Sequence, residues 1–420
     1  MEKLLQEKCH KLLDMVNKAG ADSCDIILSK GDSFSVSVQN ADVDKYKVSG
    51  AQVIGVRAIK DSKVGLSYSE SLDDSALEVI AKSVIENAEN SEVNQFEKIE
   101  IEKGEYLFPS GYTKDDSTTE DKIDFCLRLE SEVKARDSRV ETVPYNGVSE
   151  ASSSLYYLNS NHVFGYKSDY YQTCYTSALI QEGEKSSMNS HGVIARKLKD
   201  LNYERCIELS LEHASQWLHA KPLSTGHYDV IFEPDSFYSF FSCFSNIFSG
   251  KGAMEKTNPF SEKLNQQVAN SKLTIKDIPQ YADAFSKYYF DSEGVARKDF
   301  TLIENGKLNS FYHNSATASF FNIETTGHAS RGAKSALTVS GTTKVFSGGD
   351  IPTSQLTSGE YFEIHSMQGL YSGSNAISGE FSFAASGYLC RDGKRVQPVK
   401  GVTVSGNYHQ MLLNVELIGS

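Results

Sequence analysis

The sequence is poor in cysteine, proline and tryptophan, and these shortages exclude several kinds of protein. Its 420 residues include seven Cys, eight Pro and one Trp. No two cysteines lie close enough for a CxxC metal or redox motif, and an odd number cannot pair completely. Scattered, unpaired thiols are typical of a reducing compartment, so the sequence predicts a cytoplasmic protein with free, mostly buried cysteines.

Long hydrophobic runs are also lacking. No apolar stretch approaches the roughly 18 residues that a membrane-spanning helix needs. The first 20 residues are charged throughout, with Leu4, Leu5, Leu12, Leu13 and Val16 at helical spacing. This pattern predicts an amphipathic helix that ends at Gly20, and it does not fit a signal peptide. We therefore expect no membrane partner.

Basic residues are outnumbered. The chain has 42 Lys and Arg against 55 Asp and Glu, a net charge of −13, and it contains no basic run. Binding to a phosphate backbone depends on clustered Lys and Arg, so we expect no nucleic-acid partner.

The order of predicted elements indicates an α+β fold. A helix, several antiparallel strands and a helix over about residues 75–90 open the chain, and residues about 97–118 resemble a connecting segment. A helix from about Glu120 to Arg136, a β-rich stretch and a helix near Trp217 follow, so that the portion from about 120 to 222 is mainly β. The turn-rich residues 221–226 predict a boundary between an N-terminal domain, 1–222, and a C-terminal domain, 223–420.

The C-terminal domain is predicted to be mostly β with a few helices. Short alternating stretches are separated by turns, and "ENGK" at 304–307 and "RDGK" at 391–394 are strong hairpin signals. Asn-Gly and Asp-Gly supply the positive φ that a two-residue hairpin turn requires.

One segment of the second half, "EPDSFYSFFSCFSNIFSGKG" at 233–252, predicts a single amphipathic helix. Asp235 or Ser236 is expected to cap its start, and Gly250 to end it. The two faces differ in composition, since serines interleave with apolar residues at helical spacing. The apolar set is Phe237, Phe240, Phe241, Phe244, Ile247 and Phe248.

Two carboxylates in "FDSEGV" are candidates for chemistry. If this segment is a strand, Asp291 and Glu293 share one face and could bind a cation or transfer protons. The favoured interpretation is structural: the two side chains accept hydrogen bonds from backbone amides around a turn at Gly294.

Histidine and cysteine offer little more. His313 and His328 could form a metal pair, but no third ligand is indicated. His213 and His219 are six residues apart on a helix and point in different directions. Cys243, within the amphipathic helix, is expected to be a small core residue and not a nucleophile.

Four motifs in the second half, "FDSEGV", "IENGKL", "TTGHASRG" and "ISGEFS", occur in an order that resembles the TldD/PmbA family. The resemblance implies a cytosolic two-subunit protease. TldD-type subunits of this family carry an H-E-x-x-x-H zinc motif on a helix. Laid without gaps from Val230, that motif falls near Ser242, Cys243 and Ile247, which cannot supply two imidazoles and a carboxylate. The chain therefore resembles the PmbA/TldE-type subunit, which lacks the motif.

By this resemblance, the chain holds no cofactor and no catalytic residue of its own, and it pairs with a TldD-type zinc subunit to act on unfolded or extended peptides. Two alternatives remain open at this point. One is an autonomous hydrolase that uses a rebuilt metal site or the thiol of Cys243, and the other is a homo-oligomeric peptide-binding module, such as a homodimer. The residues of the rebuilt site would be Asp291, Glu293, His313 and His328. Family members commonly continue past the equivalent of Ser420, so the role of that tail is not carried over.

Overall fold

The computed structural model describes residues 2–99, 104–108, 112–346, 349 and 351–419. The helices are α1 Glu2–Lys18, α2 Asp74–Glu89, α3 Thr119–Arg136, α4 Tyr203–Trp217, α5 Pro234–Cys243, α6 Gly250–Met254, α7 Ser315–Phe321, α8 Thr353–Leu356 and α9 Tyr408–Leu413. The strands of the first half are β1 Ser23–Gln39, β2 Asp42–Lys60, β3 Lys63–Ser69, β4 Gly104–Phe108, β5 Val140–Thr142, β6 Asn146–Asn159, β7 Val163–Glu182 and β8 Lys185–Ala195. The strands of the second half are β9 Asp229–Phe232, β10 Ile275–Asp277, β11 Phe300–Glu304, β12 Lys307–Leu308, β13 Ala329–Ser330, β14 Thr338–Val339, β15 Lys344–Phe346, β16 Glu360–Gln368, β17 Glu380–Arg391 and β18 Lys394–Asn407.

The strands of the first half form one eight-stranded sheet in the order β3-β2-β1-β6-β7-β4, with β5 and β8 also paired to β7. The pairs are antiparallel except for β4 and β7, which run parallel. Helices α1 and α2 pack on one stretch of the sheet through residues such as Leu12, Val16 and Leu77, all of which are fully buried. Helices α3 and α4 cover a second stretch. The α+β prediction is confirmed.

The predicted end of the first helix agrees with the structure. Gly20 has a φ of +100° just after α1, as expected for a helix that ends at a glycine. Leu4 is 55% exposed, however, while Cys9 is fully buried and takes a place on the apolar face. The expected connecting segment contains β4, and residues 100–103 and 109–111 lie outside the described part of the chain.

The second half contains two four-stranded sheets, β18-β17-β16-β9 and β12-β11-β10-β15, and the two-stranded pair β13-β14. Strand β9 runs parallel to β16. Both predicted hairpin turns are confirmed, because Asn305 and Gly306 have φ values of +49° and +77°, and Asp392 and Gly393 have +49° and +75°.

The amphipathic segment is not the single helix that its spacing predicts. Helix α5 ends at Cys243, a short 3₁₀ turn spans Ser245–Phe248, and α6 begins at Gly250. A Cβ at Gly250 would lie 2.5 Å from the Nδ1 atom of His313 and from the carbonyl oxygen of Tyr312. This close packing redirects the chain, so the expected helix end at Gly250 is wrong.

The start of α5 also differs from the prediction. The cap is the Glu233 side chain, which accepts hydrogen bonds from the backbone N–H groups of Asp235 and Ser236. Pro234 occupies the first helical position, where its missing N–H is not needed. Glu233, one residue before the proline, therefore caps the helix in place of Asp235 or Ser236.

The two halves are joined along the predicted linker. The backbone N–H of Lys221 donates to Pro398 on β18, and Lys400 donates back to Lys221. Trp217 at the end of α4 packs in a small buried cluster with Tyr361 and Tyr388 of the second half. The boundary between residues 222 and 223 stays a prediction. Over the residues placed by the structure, no helix is long and apolar enough to cross a membrane.

Candidate functional site

The apolar face of the amphipathic segment is confirmed. Phe240, Phe241, Phe244, Ile247 and Phe248 are at most 2% exposed, and Phe237 is partly buried. The ring of Phe240 meets Phe381 of β17 edge to face at 5.0 Å. The ring of Phe244 stacks on Tyr408 of α9 at 4.4 Å with an interplanar angle of 5°. The break after α5 preserves this burial, since the 3₁₀ turn returns Ile247 and Phe248 to the same core.

The serines of this segment mostly bond within their own helix. Ser239 donates to the carbonyl of Asp235 at 3.0 Å, and Ser242 donates to the carbonyl of Tyr238 at 2.7 Å. Such bonds to the preceding turn satisfy a hydroxyl without a partner chain. Ser236 instead donates to the carbonyl of His365 at 2.6 Å and fastens α5 to β16.

The three positions at which the zinc motif is expected are Ser242, Cys243 and Ile247. The Ser242 hydroxyl is already bonded, and Ile247 is fully buried and has no donor atom. The Cys243 thiol donates to the carbonyl of Ser239 at 3.5 Å. Burial raises the pKa of Cys243, which disfavours the thiolate that a metal or a nucleophilic reaction requires. A zinc ion that needs two imidazoles and a carboxylate does not fit these residues.

The "FDSEGV" segment is a turn and not a strand. Gly294 has a φ of +75°, and Asp291 accepts backbone hydrogen bonds from Glu293 at 2.8 Å and Val295 at 3.0 Å. The other oxygen of Asp291 accepts from the N–H of Ala329 at 2.9 Å. Burial and the nearby Glu293 carboxylate raise the pKa of Asp291, while these donors oppose the shift. The Asp291 side chain therefore accepts backbone hydrogen bonds around the turn, which is what its structural interpretation expects.

Glu293 faces a different way and is also fully engaged. Its carboxylate accepts from the backbone N–H of Ser315 at 2.8 Å and from the Ser315 hydroxyl at 2.5 Å. It also forms a salt bridge of 2.9 Å with Arg57 of β2. Glu293 therefore joins β2 to the start of α7, while Asp291 holds its own turn and Ala329.

The Arg57 guanidinium lies at the centre of a buried ionic network. It donates to Asp25 at 2.7 and 2.9 Å and to Glu97 at 3.0 Å, besides its bond to Glu293. Arg331 of the second half binds the other oxygen of Asp25. Two cations from different halves thus pair with three carboxylates where the N-terminal sheet meets the second half.

The two candidate histidines bond to separate threonines. The Nδ1 atom of His313 is 3.2 Å from Thr317 Oγ1, and that of His328 is 2.9 Å from Thr326 Oγ1. Burial lowers the pKa of each to about 4, so both rings are neutral near pH 7. Across the described ranges, no group of three or more His, Cys, Asp or Glu residues could hold a metal ion. The proposed four-residue metal site therefore has no converging ligands there.

A groove on the N-terminal sheet was missed by the sequence reasoning. Its volume is about 770 Å³. Directly opposed residues of neighbouring strands form its floor in two rows. One row is Val53, Ser29, Leu155, Lys167 and Phe108, and the next is Ala51, Gly31, Ser153 and Asp169. Small side chains on three adjacent strands leave the space. The only sequence signal is that these small residues alternate with larger ones, and it becomes informative only when the strand register is known.

The roof of the groove comes from the second half. Tyr289 stacks on Phe108 at 4.1 Å with an interplanar angle of 6°. Arg196 lies between the rings of Tyr112 and Phe285, 4.0 and 3.9 Å from their centroids. A long floor of mixed polar and apolar residues between two aromatic contacts is suited to an elongated ligand with both polar and apolar groups.

Comparison with known proteins gives the family. Residues 24–88 match PmbA/TldA metallopeptidase domain 1, residues 112–216 match the central domain, and residues 225–420 match the C-terminal domain. An uncharacterized protein of Methanocaldococcus jannaschii is 26% identical over 96% of this chain and 92% of its own length. The metalloprotease PmbA of Escherichia coli O157:H7 is 21% identical over 100% of this chain and 92% of its own.

Solved structures agree in fold. A Thermotoga maritima protein, whose name connects it with modulation of a DNA gyrase, superposes with a TM-score of 0.87 at 24% identity and covers 99% of this chain and 95% of its own. TldE from Thermococcus kodakarensis superposes with a TM-score of 0.81 at 17% identity and covers 98% of this chain and 94% of its own. With three consecutive family domains matched over most of its length, the chain belongs to the TldD/PmbA family.

Proposed function

We propose that this chain is a PmbA/TldE-type subunit that pairs with a TldD-type zinc subunit in a protease complex for unfolded or extended peptides. The observation that carries the proposal is the chemistry of the α5 region. Ser242, Cys243 and Ile247 stand where a zinc motif is expected, and they offer a bonded hydroxyl, a half-buried thiol and a hydrocarbon. Metalloprotease names among full-length relatives support a role in proteolysis.

Peptide capture is the contribution proposed for this subunit. Strand β4 lies at the end of the sheet order. Among the strands that the structure describes, it pairs only with β7. An edge strand offers main-chain donors and acceptors to an extended chain, which gives affinity without a sequence requirement. Phe108 of β4 also lines the groove, so an added strand would lie beside it.

The test is reconstitution with a zinc-motif relative from the same genome. This chain, the relative and the mixture are each assayed for hydrolysis of an unfolded polypeptide, for zinc by elemental analysis, and for mass by light scattering. We expect this chain alone to bind no stoichiometric zinc and to hydrolyse nothing, and the mixture to form a zinc-containing, active complex.

A Cys243→Ser variant of this chain is the control for thiol chemistry, and it should support the complex as well as the native chain does. Hydrolysis by the isolated chain with stoichiometric zinc would establish an autonomous metalloenzyme and overturn the proposal. Loss of activity in Cys243→Ser would establish a thiol hydrolase. Failure to form a complex would favour a homo-oligomeric binding module.

A further inference from the structure

The groove on the N-terminal sheet is positively charged within an acidic protein. Its charged lining residues are Lys30, Lys167, Asp169, Arg196 and Lys287, four cations and one carboxylate. The whole chain carries a net charge of −13. A cleft of the opposite sign to the rest of the surface concentrates ligands of the matching charge, here anions.

Among the described residues, Lys167 and the exposed Lys287 are the two cations of this set that form no ion pair. Lys167 lies on the floor between Leu155 and Phe108, and its ammonium is 5.7 Å from the ring of Phe290. No hydrogen bond or ion pair to Lys167 occurs in the part of the chain that the structure covers. Burial lowers its pKa, and the charge of Arg297 lowers it further. A half-buried ammonium that faces a cavity and has a second cation behind it is stabilised by any anion that enters.

Arg297 shows the same deficit of negative charge. Its Nη1 atom is buried and has no hydrogen-bond partner in the described ranges, while its Nε atom donates to the carbonyl of Phe290 at 3.4 Å. Burial lowers the pKa of Arg297. Buried N–H donors of a charged group are normally satisfied, so this orphaned donor, which lies outside the groove lining, lacks an acceptor.

The nearby carboxylates are committed elsewhere. Asp169 binds Arg196 and accepts from the Ser286 hydroxyl at 2.9 Å. Asp291 accepts three backbone N–H groups around its own turn. Among the described residues, neither of these carboxylates is free to pair with the Lys167 ammonium, and an anionic ligand would supply the acceptor that they do not.

We propose that the groove binds the carboxylate of an extended peptide, with the Lys167 ammonium as its ionic partner and the Phe108–Tyr289 stack beside an adjacent apolar side chain. A peptide fits better than a compact anion, because the floor spans five strands and offers Ser29 and Ser153 as further hydrogen-bonding groups. This inference deepens the proposed peptide-binding role and rests on it for the kind of ligand. It assigns to this subunit a preference for acidic peptides.

Calorimetric titration of the full chain tests the inference with four unlabelled six-residue peptides. They share one apolar sequence with either a central Glu or a central Gln, and each is made with a free and with an amidated C-terminus. We expect each carboxylate-bearing peptide that reaches Lys167 to bind about tenfold more tightly than the amidated Gln peptide, which carries none. Preference for the central Glu assigns the carboxylate to a side chain, and preference for the free terminus assigns it to the chain end.

Lys167→Met should bind all four peptides equally weakly, and Lys167→Arg should keep the preference. The matched control is Lys344→Met, because Lys344 is also a partly buried strand lysine with a lowered pKa, 6.0 Å from the ring of Tyr312, and it lies outside the groove. Near-ultraviolet circular dichroism and melting temperature establish that each variant is folded.

Equal binding of the acidic and the uncharged peptide, binding of none of them, or an unchanged preference in folded Lys167→Met would overturn the inference. The reconstitution experiment separates this failure from failure of the proposed function. A zinc-containing, active complex without a carboxylate preference would retain the subunit assignment and remove only the ligand. A preference for acidic peptides without a complex would retain the ligand and overturn the subunit assignment.

Discussion

Arg57 and Glu293 are 236 residues apart in the sequence and form a salt bridge of 2.9 Å in which both side chains are almost completely buried. The bridge joins β2 of the N-terminal sheet to the turn before α7. Asp25 and Arg331 form a second crossing between the same two halves. Charged groups are removed from water only when partners compensate them, so these contacts fix how the halves meet.

Removing one carboxylate from this network should destabilise the protein strongly. Glu293→Gln leaves Arg57 with less compensation in a dry environment, and we expect a loss of about 3–5 kcal/mol in the free energy of unfolding. Urea unfolding followed by the fluorescence of Trp217, the single tryptophan, measures this loss at the junction. Glu304→Gln, at the exposed end of β11, is the control and should change stability by less than about 0.5 kcal/mol. A similar small change in Glu293→Gln would contradict a structural role for the network.

The aromatic core beneath α5 should be sensitive to truncation. Phe244→Ala removes a fully buried ring that stacks on Tyr408, and the cavity should cost about 3–5 kcal/mol. Tyr238→Ala on the same helix removes a side chain that is 65% exposed and should cost less than about 0.5 kcal/mol. Thermal unfolding compares the two variants. Equal melting temperatures would show that the segment does not form this core.

Stability should fall in mild acid because of His313. Burial holds its folded pKa at about 4, below the ordinary value of roughly 6.5 that it regains on unfolding. The unfolded chain therefore binds the proton first, so the contribution of neutral His313 is fully present above pH 6.5. It is lost as the pH falls from about 6.5 to about 4, by roughly 3 kcal/mol in total.

The His313→Asn variant isolates this effect, because its amide can replace Nδ1 as the partner of Thr317. The difference in unfolding free energy between native and variant protein, measured by urea titration at pH 7.5, 6, 5 and 4, should shift in favour of the variant as the pH falls. A difference that does not change with pH would show that His313 takes up its proton equally well in both states.

Restoring the zinc motif at its expected positions should not restore a zinc site. In the triple variant Ser242→His, Cys243→Glu and Ile247→His, the third substitution places an imidazole in a fully buried hydrophobic position, beyond the end of α5. We expect a destabilised protein without stoichiometric zinc, because the ligands do not share one helix face. Elemental analysis after dialysis gives the readout, and Ser242→His with Cys243→Glu serves as the comparison. One zinc per chain in the triple variant would show that the site is only three substitutions away.

Local chemistry made parts of this structure predictable. The turns at Asn305–Gly306 and Asp392–Gly393 and the end of α1 at Gly20 depend on backbone preferences that the sequence displays directly. The apolar face that contains Phe244 follows from spacing alone. These features need only neighbouring residues to form.

Other features depend on contacts that spacing cannot reveal. The segment after α5 breaks because Gly250 packs against Tyr312 and His313, more than 60 positions away along the printed sequence. Asp291 and Glu293 are spaced like residues on one face of a strand, but their carboxylates accept hydrogen bonds from backbone amides and from Arg57. The groove needs the register of five strands and a loop from the other half, so no single stretch of sequence contains it.

The floor of the groove belongs to residues before 200 and its roof to Phe285–Tyr289. A chimera that joins the first half of one family member to the second half of another would therefore inherit neither parent's pocket. Asp25, which Arg331 binds, lies on β1 only four residues before Ser29 of the floor. Substitutions that alter ligand preference and substitutions that alter the contact between the two halves would consequently fall on the same strands. Ligand preference in this protein should thus change by substitution within an intact chain and not by exchange of its parts.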